Sequence, residues 1–384
     1  MILFPSSRRM FNSMKSKHIL FVLVIALAAV FLSGCTGRAG LTNSWPGLSS
    51  DRDNAYLASG QFLYAVSMDS GKEIWRYPAN GSNSIHFISQ PVIASDGTII
   101  IGSSGSDHRL VALDPSQLIN NDGVMTPTEK WVFTEARSNW VAGVLVVGDK
   151  IFAPNSDGIL YVLDFQTGAS TTSVLRKIDL GGALWAQPST DGNLVYVASL
   201  DHFLYAIDPE TYEFAWPTIN LGGAAPGKPL VGPNGNVYIG SFASQVLKVD
   251  PTTGGDSVFA STQNWVWGGP VTDGQNIYFG DLAGNLYAVD AASGNRAWSI
   301  QPDGPIVGSP LVTSEYIVFA TESGSVYAVD DTGAIVWQRE VGGQIFTSPV
   351  SSTEQIIVAP MQAEFSLAVL DANGNQAWTF QPEN

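Results

Sequence analysis

From residue 45 onward, short apolar runs alternate with Gly, Asn and Asp. Runs such as NVYIG (236–240), NIYFG (276–280) and NLYAVD (285–290) are rich in β-branched and aromatic residues. Bounded by turn formers, they read as strands. After the N-terminal region no segment holds a 3.6-residue period for three turns, so the pattern predicts an all-β protein. The strands recur in fixed order. A proline opens the first, as in QPVIA (90–94), GPVTD (269–273) and SPLVT (309–313). An Asp or Gly turn follows, then the NIYFG-type strand, a small-residue turn, the LYAVD-type strand, a Ser/Thr-Gly turn, and a strand carrying Trp.

The residue ending the third strand marks the repeat. It is Ser67, Asp114, Asp164, Asp208, Asp250, Asp290, Asp330 and Asp371, at spacings of 40 to 50 residues. Eight such units match four-stranded propeller blades. The expected fold is therefore an eight-bladed β-propeller of four-stranded antiparallel blades, occupying 45–384. Each recurring residue has a structural role. The Asp accepts hydrogen bonds from backbone two residues on. A following Gly (71, 168, 294, 333 or 374) supplies the left-handed conformation. Trp75, Trp131, Trp216, Trp298, Trp337 and Trp378 are expected to dock one blade on the next. Each tryptophan buries about 150–250 Å². Blades 3 and 5 lack this tryptophan and offer Leu175 and Val258 or Phe259, so those two junctions are expected to be weaker.

The first 34 residues differ from the rest. Arg8, Arg9, Lys15 and Lys17 precede the 14-residue apolar run 19–32, which ends in Leu-Ser-Gly-Cys at 32–35. That run is short for a membrane span and fits a signal-peptide core. The segment resembles a bacterial lipoprotein signal. This implies a signal peptide over 1–34, lipid on Cys35, a tether over 35–44, and an extracytoplasmic, membrane-anchored protein. Cys35 is the only cysteine, so the propeller has no disulfide and no thiol for catalysis or metal. Removing 1–34 takes away four of 18 basic residues and none of the 34 acidic ones, for a net charge of −20. Such a surface repels nucleic acid.

The pattern A-V-D-x-x-S/T-G-x-x-x-W resembles the PQQ-type, tryptophan-docking propeller repeat. That family includes quinoprotein alcohol and glucose dehydrogenases, and BamB-like lipoproteins that serve outer-membrane protein assembly and bind no quinone. The dehydrogenases are longer, hold their cofactor against a vicinal disulfide, and use Ca²⁺ with a catalytic Asp. No such set is recognisable here. The resemblance therefore implies a non-catalytic, protein-binding or scaffolding envelope lipoprotein, with no cofactor, no metal and no catalytic residues. The alternative is a PQQ or small-ligand binder, including a degenerate quinoprotein dehydrogenase.

A candidate recognition surface lies where inter-blade links and second-to-third-strand turns share one face. Trp185, Trp267 and Phe346, three residues before the strand-opening proline, are expected around the channel mouth. Ile88, Val141, Pro226 and Val307 are their equivalents, and Trp140 and Trp265 lie just outside. Gln90 and Gln187 precede the proline and add amides. Trp185 and Trp267 are the favoured pair. His86, His108 and His202 are scattered over turns and links and form no set. The insert PSQLINNDGVMTPTEK (115–130) is read as an elongated loop, and 168–174 as a second insert.

Overall fold

The computed structural model describes residues 45–167 and 174–383, and every regular element among them is a β-strand. The signal segment, Cys35, the tether and Gly168 lie outside the described residues, as does all of the second insert except Val174. Eight antiparallel sheets follow one another along the chain. Seven have four strands in simple up-and-down order; the second carries a fifth short strand, Ile85–Phe87, beside Ile99–Gly105. The protein is an eight-bladed β-propeller. Each blade is built from contiguous sequence. The first described strand, Gly47–Ser50, pairs with Asn54–Ser59 in its own blade, and the last described, Gln376–Phe380, with Leu367–Leu370. Among the described residues, no strand is exchanged to close the ring.

Closure rests on side-by-side packing. Leu48, Leu57, Val66 and Met68 of blade 1 share an apolar cluster with Ile357, Leu367, Val369 and Phe380 of blade 8. Polar bonds span the same seam, from Ser50 Oγ to the Ser351 carbonyl (2.9 Å) and from Ser352 Oγ to the Arg52 carbonyl (2.7 Å). Most of the other clusters also combine two adjacent blades, because a single sheet cannot cover both its faces.

The turn aspartates behave as the repeat predicts. Asp164 Oδ1 accepts from the amides of Gln166 (3.0 Å) and Thr167 (2.8 Å). Asp250 accepts from Thr252 (2.8 Å) and Asp371 from Asn373 (2.9 Å). The tryptophans dock on the carbonyl one residue past the next blade's marker. Trp131 donates to Phe165 (3.0 Å), Trp216 to Pro251 (3.2 Å), Trp298 to Asp331 (2.7 Å), Trp337 to Ala372 (2.9 Å) and Trp378 to Met68 (3.2 Å). Beneath the indole lies the turn glycine. A Cβ on Gly254, at φ +70°, would sit 2.9 Å from the Trp216 ring. Glycine is required there for both its torsion and its size.

The two junctions without tryptophan supply the same carbonyl with other donors. At 3→4, Lys150 Nζ donates to the Pro209 carbonyl (3.0 Å), pairs with Glu210 (2.7 Å), and lies 5.7 Å from the Tyr212 ring centre. At 5→6, Asn234 Nδ2 and the Tyr238 hydroxyl donate to the Ala291 carbonyl at 3.1 and 3.3 Å. The residues offered by the sequence need correction. Leu175 is the bulge residue of its strand and is 41% exposed, while Arg176, opposite Val162, takes the tryptophan register. In blade 5 the bulge moves two residues along. It leaves Val258 exposed and turns Phe259 onto Tyr238, ring centres 4.7 Å apart.

The insert in blade 2 is not a loop. It extends two strands into a long hairpin, Leu110–Asn121 and Val124–Phe133, closed by Asp122-Gly123 at φ 51° and 93°. Positive φ at both central residues is the tight-hairpin geometry. Leu118 and Met125 pack on the blade 1–2 core. Trp75 is buried, yet forms no docking bond among the described residues, because the next blade's turn is replaced by this ladder.

Candidate functional site: an aromatic channel mouth

The inter-blade links and the second-to-third-strand turns do share a face. The Phe242 amide, in such a turn, donates to the Ala224 carbonyl of a link, and the Leu282 amide to the Trp265 carbonyl. Around the axis the entering strands touch through glycine. A Cβ on Gly268 would stand 2.7 Å from the Gly308 carbonyl carbon, and one on Gly308 2.7 Å from the Thr347 oxygen. Neighbouring blades therefore converge closely there.

Not all the expected aromatics meet on this face. Trp265 stacks on Phe242, ring centres 4.6 Å apart at 10°, and Phe242 lies 5.1 Å from Trp267. Trp267 meets Trp45 edge-on at 5.1 Å, and Trp45 stacks on Phe346 at 5.6 Å. These five rings form one continuous cluster drawn from blades 5, 6, 8 and 1. Trp265 is 46% exposed and Trp45 36%.

Trp45 was not among the expected residues. Pairing of Ser49 with Tyr56, Ser189 with Tyr196 and Val271 with Tyr278 puts Leu48 where other blades have proline. Trp45, three residues earlier, is thus the eighth member of the mouth ring. It is adjacent to Phe346 and reaches across to Trp267, three blades away around the ring, so it covers part of the opening.

Trp140 is a correction: it is fully buried. Its ring packs on Phe133 and Tyr161, and its indole donates to the His108 carbonyl (3.2 Å). Gly102 makes this possible, since a Cβ there would fall 2.2 Å from Trp140 Cβ. Trp185 is half-buried and stands apart from the cluster, its indole bonded to Ser156 Oγ (3.1 Å). Gln187 is also committed to the scaffold through the Val144 carbonyl (2.9 Å), while Gln90 is exposed. Of the other ring members, Val307 is buried, and Ile88, Val141 and Pro226 are half-buried.

Asp281 holds the link that carries Trp265. It is fully buried and accepts from the amides of Gln263 (3.0 Å), Asn264 (3.2 Å), Ala283 (3.0 Å) and Asn285 (2.9 Å). The Tyr287 hydroxyl adds a bond at 2.9 Å. That hydroxyl is pushed up to about 12, first by burial and also by the adjacent carboxylate. A buried carboxylate so fully bonded is a structural anchor, and it presents Trp265 on a rigid base.

Among the described residues, no three His, Cys, Asp or Glu side chains gather as a metal site. On the opposite face, an open depression of about 690 Å³ lies at the blade 8–1 seam, lined by Asp69, Glu354, Asp371 and Trp378 among others. Its tryptophan and Asp371 are parts of the docking turn already described.

The family model described as outer membrane protein assembly factor BamB matches residues 37–257, 218–300 and 284–384. The chain belongs to this BamB-like family of PQQ-repeat propellers. Among solved structures, BamB from Moraxella catarrhalis aligns at TM-score 0.65 and 20% identity, covering 84% of this chain and 92% of that one. The computationally designed Ika8 protein aligns at TM-score 0.69 and 12% identity, covering 87% and 98%. At these identities the two structures speak to the fold alone. No curated protein matches the chain in sequence.

Proposed function

We propose that this protein is a non-catalytic envelope scaffold, anchored through lipid on Cys35, whose aromatic mouth docks a protein partner. The observation that carries this reading is the cluster of Trp45, Phe242, Trp265, Trp267 and Phe346, partly exposed on a protein of net charge −16. Exposed aromatic rings on a rigid base are the usual anchors of protein interfaces, and a contiguous exposed apolar patch marks an interaction site. Family membership supports a role like that of the assembly factors. The partner meets the mouth face, with Trp265 and Trp267 as its anchors.

A lipid on Cys35 also fixes geometry. Ten residues, 35–44, separate it from Trp45. Fully extended they reach at most about 36 Å, so the mouth stays near the membrane surface.

The test is photocrosslinking from position 265 in native membranes, alongside Trp265→Ala/Trp267→Ala. Defined crosslinks from position 265, and loss of the same partner from pull-downs of a double variant that melts normally, support the reading. Unchanged capture by the folded variant rejects it. Cys35→Ser is expected to move the protein from the membrane to the soluble fraction; continued membrane retention would reject the lipid anchor.

A further inference from the structure

We propose that the central channel binds an organic carboxylate at Lys228. The eight innermost strands are Gly47–Ser50, Val92–Ile93, Leu145–Val147, Ser189–Thr190, Leu230–Val231, Val271–Thr272, Leu311–Val312 and Val350–Ser352. None contains a charged residue. At the position entering the strand, two residues inside the mouth ring, seven blades place Gly, Gln or Ser and blade 5 places Lys228. In a protein with nearly twice as many acidic as basic residues, the one charge among these described strands and entry positions is positive.

Lys228 sits among backbone from the next blade. A Cβ on Gly269 would lie 2.5 Å from the Lys228 carbonyl oxygen, and one on Gly227 2.8 Å from that of Trp267. The side chain remains open to channel water, yet protein encloses it enough that burial alone pulls its pKa below the ordinary lysine value. Among the described residues it has no ion pair; the five that form use Arg76, Arg109, Lys130, Lys150 and Lys177. A partly desolvated, unpaired ammonium is costly, and an anion that supplied its missing bonds would offset that cost.

The two channel ends differ in a way that specifies the ligand. On the far face, turns from first to second strand carry Asp51, Asp96, Asp191 and Asp273, which repel an anion. At the near end stand the rings of Trp45, Trp267 and Phe346. An anion therefore enters from the mouth, and one with a flat apolar body gains contact with these rings while its carboxylate reaches Lys228. The inference is independent of partner docking.

The test is calorimetric titration of the full chain with benzoate at pH 7 and fixed ionic strength. The expected result is one saturable site per chain, weakened at least about tenfold in Lys228→Met and retained in Lys228→Arg. Lys228→Met should melt like the parent, and Lys248→Met, on a third strand away from the channel, should bind like the parent. Absence of saturable benzoate binding, equal binding by folded Lys228→Met, or equally tight binding of benzyl alcohol would overturn the proposal. So would saturable binding of inorganic phosphate without benzoate.

Discussion

Blade 4 is held on its two sides by different chemistry. Toward blade 5, Trp216 is 6% exposed, lies over Gly254, and donates to the Pro251 carbonyl. Toward blade 3, the equivalent carbonyl, that of Pro209, takes its bond from Lys150. The turn glycine is replaced there by Tyr212 at φ +63°, a torsion that costs a non-glycine residue about 1–2 kcal/mol. Its ring gives the lysine a face to lie near, at 5.7 Å. The requirement common to both junctions is a donor for that carbonyl. Tryptophan meets it with a large buried area; lysine meets it with charge, and Glu210 beside it remains largely in water.

The two junctions should therefore fail differently. The largest effect is expected from Trp216→Ala, a loss of about 3–5 kcal/mol, measured by denaturant unfolding. Trp216→Phe keeps most of the packing and should lose only the bond, about 1 kcal/mol. If both variants cost the same, the indole N–H rather than the buried area secures the junction.

A smaller loss, about 1 kcal/mol or less, is expected for Lys150→Met. It should also change how stability depends on pH. The hydrogen bond to Glu210 raises the Lys150 pKa above its ordinary 10.5. The lysine's contribution is thus complete below that value and disappears as pH rises through the folded value. Melting curves from pH 8 to 12 should show the parent losing its advantage over Lys150→Met on the alkaline side. A constant difference would show that the lysine acts through packing alone.

The smallest effect belongs to the docking turns. Bonds from turn amides and hydroxyls lower the carboxyl pKa of Asp164, Asp208, Asp290, Asp330 and Asp371 below 3.8. A depressed carboxyl pKa stabilises above the unfolded value and ceases to do so as pH falls through the folded one. Melting temperature should be flat from pH 7 to about 5 and decline below about 4. Asp290→Asn should soften that decline slightly, and the junctions with and without tryptophan should share the behaviour.

The repeat made the eight blades, the turn aspartates and the docking tryptophans legible, because each answers a local backbone need that recurs in every unit. The substitutes at 3→4 and 5→6 were not legible. Lys150 opens a second strand and Asn234 sits in a first turn, so neither occupies the position it replaces. Register was hidden as well: a bulge moves Arg176, not Leu175, into the tryptophan position. At the mouth, spacing from proline found Trp267 and Phe346 but missed Trp45, since Leu48 stands in place of that proline. Trp140 looked equivalent to its neighbours, and only its approach to Gly102 shows that it points inward.

Because the described residues close the ring without strand exchange, the ring has no privileged first blade. Breaking the chain in another inter-blade link and joining Phe380 to Gly47 through a short connector would leave every sheet intact. Such a circular permutant should form the same wheel. It would also part residues 1–44 from Trp45, so that the aromatic mouth could be studied without the segment that precedes it in sequence.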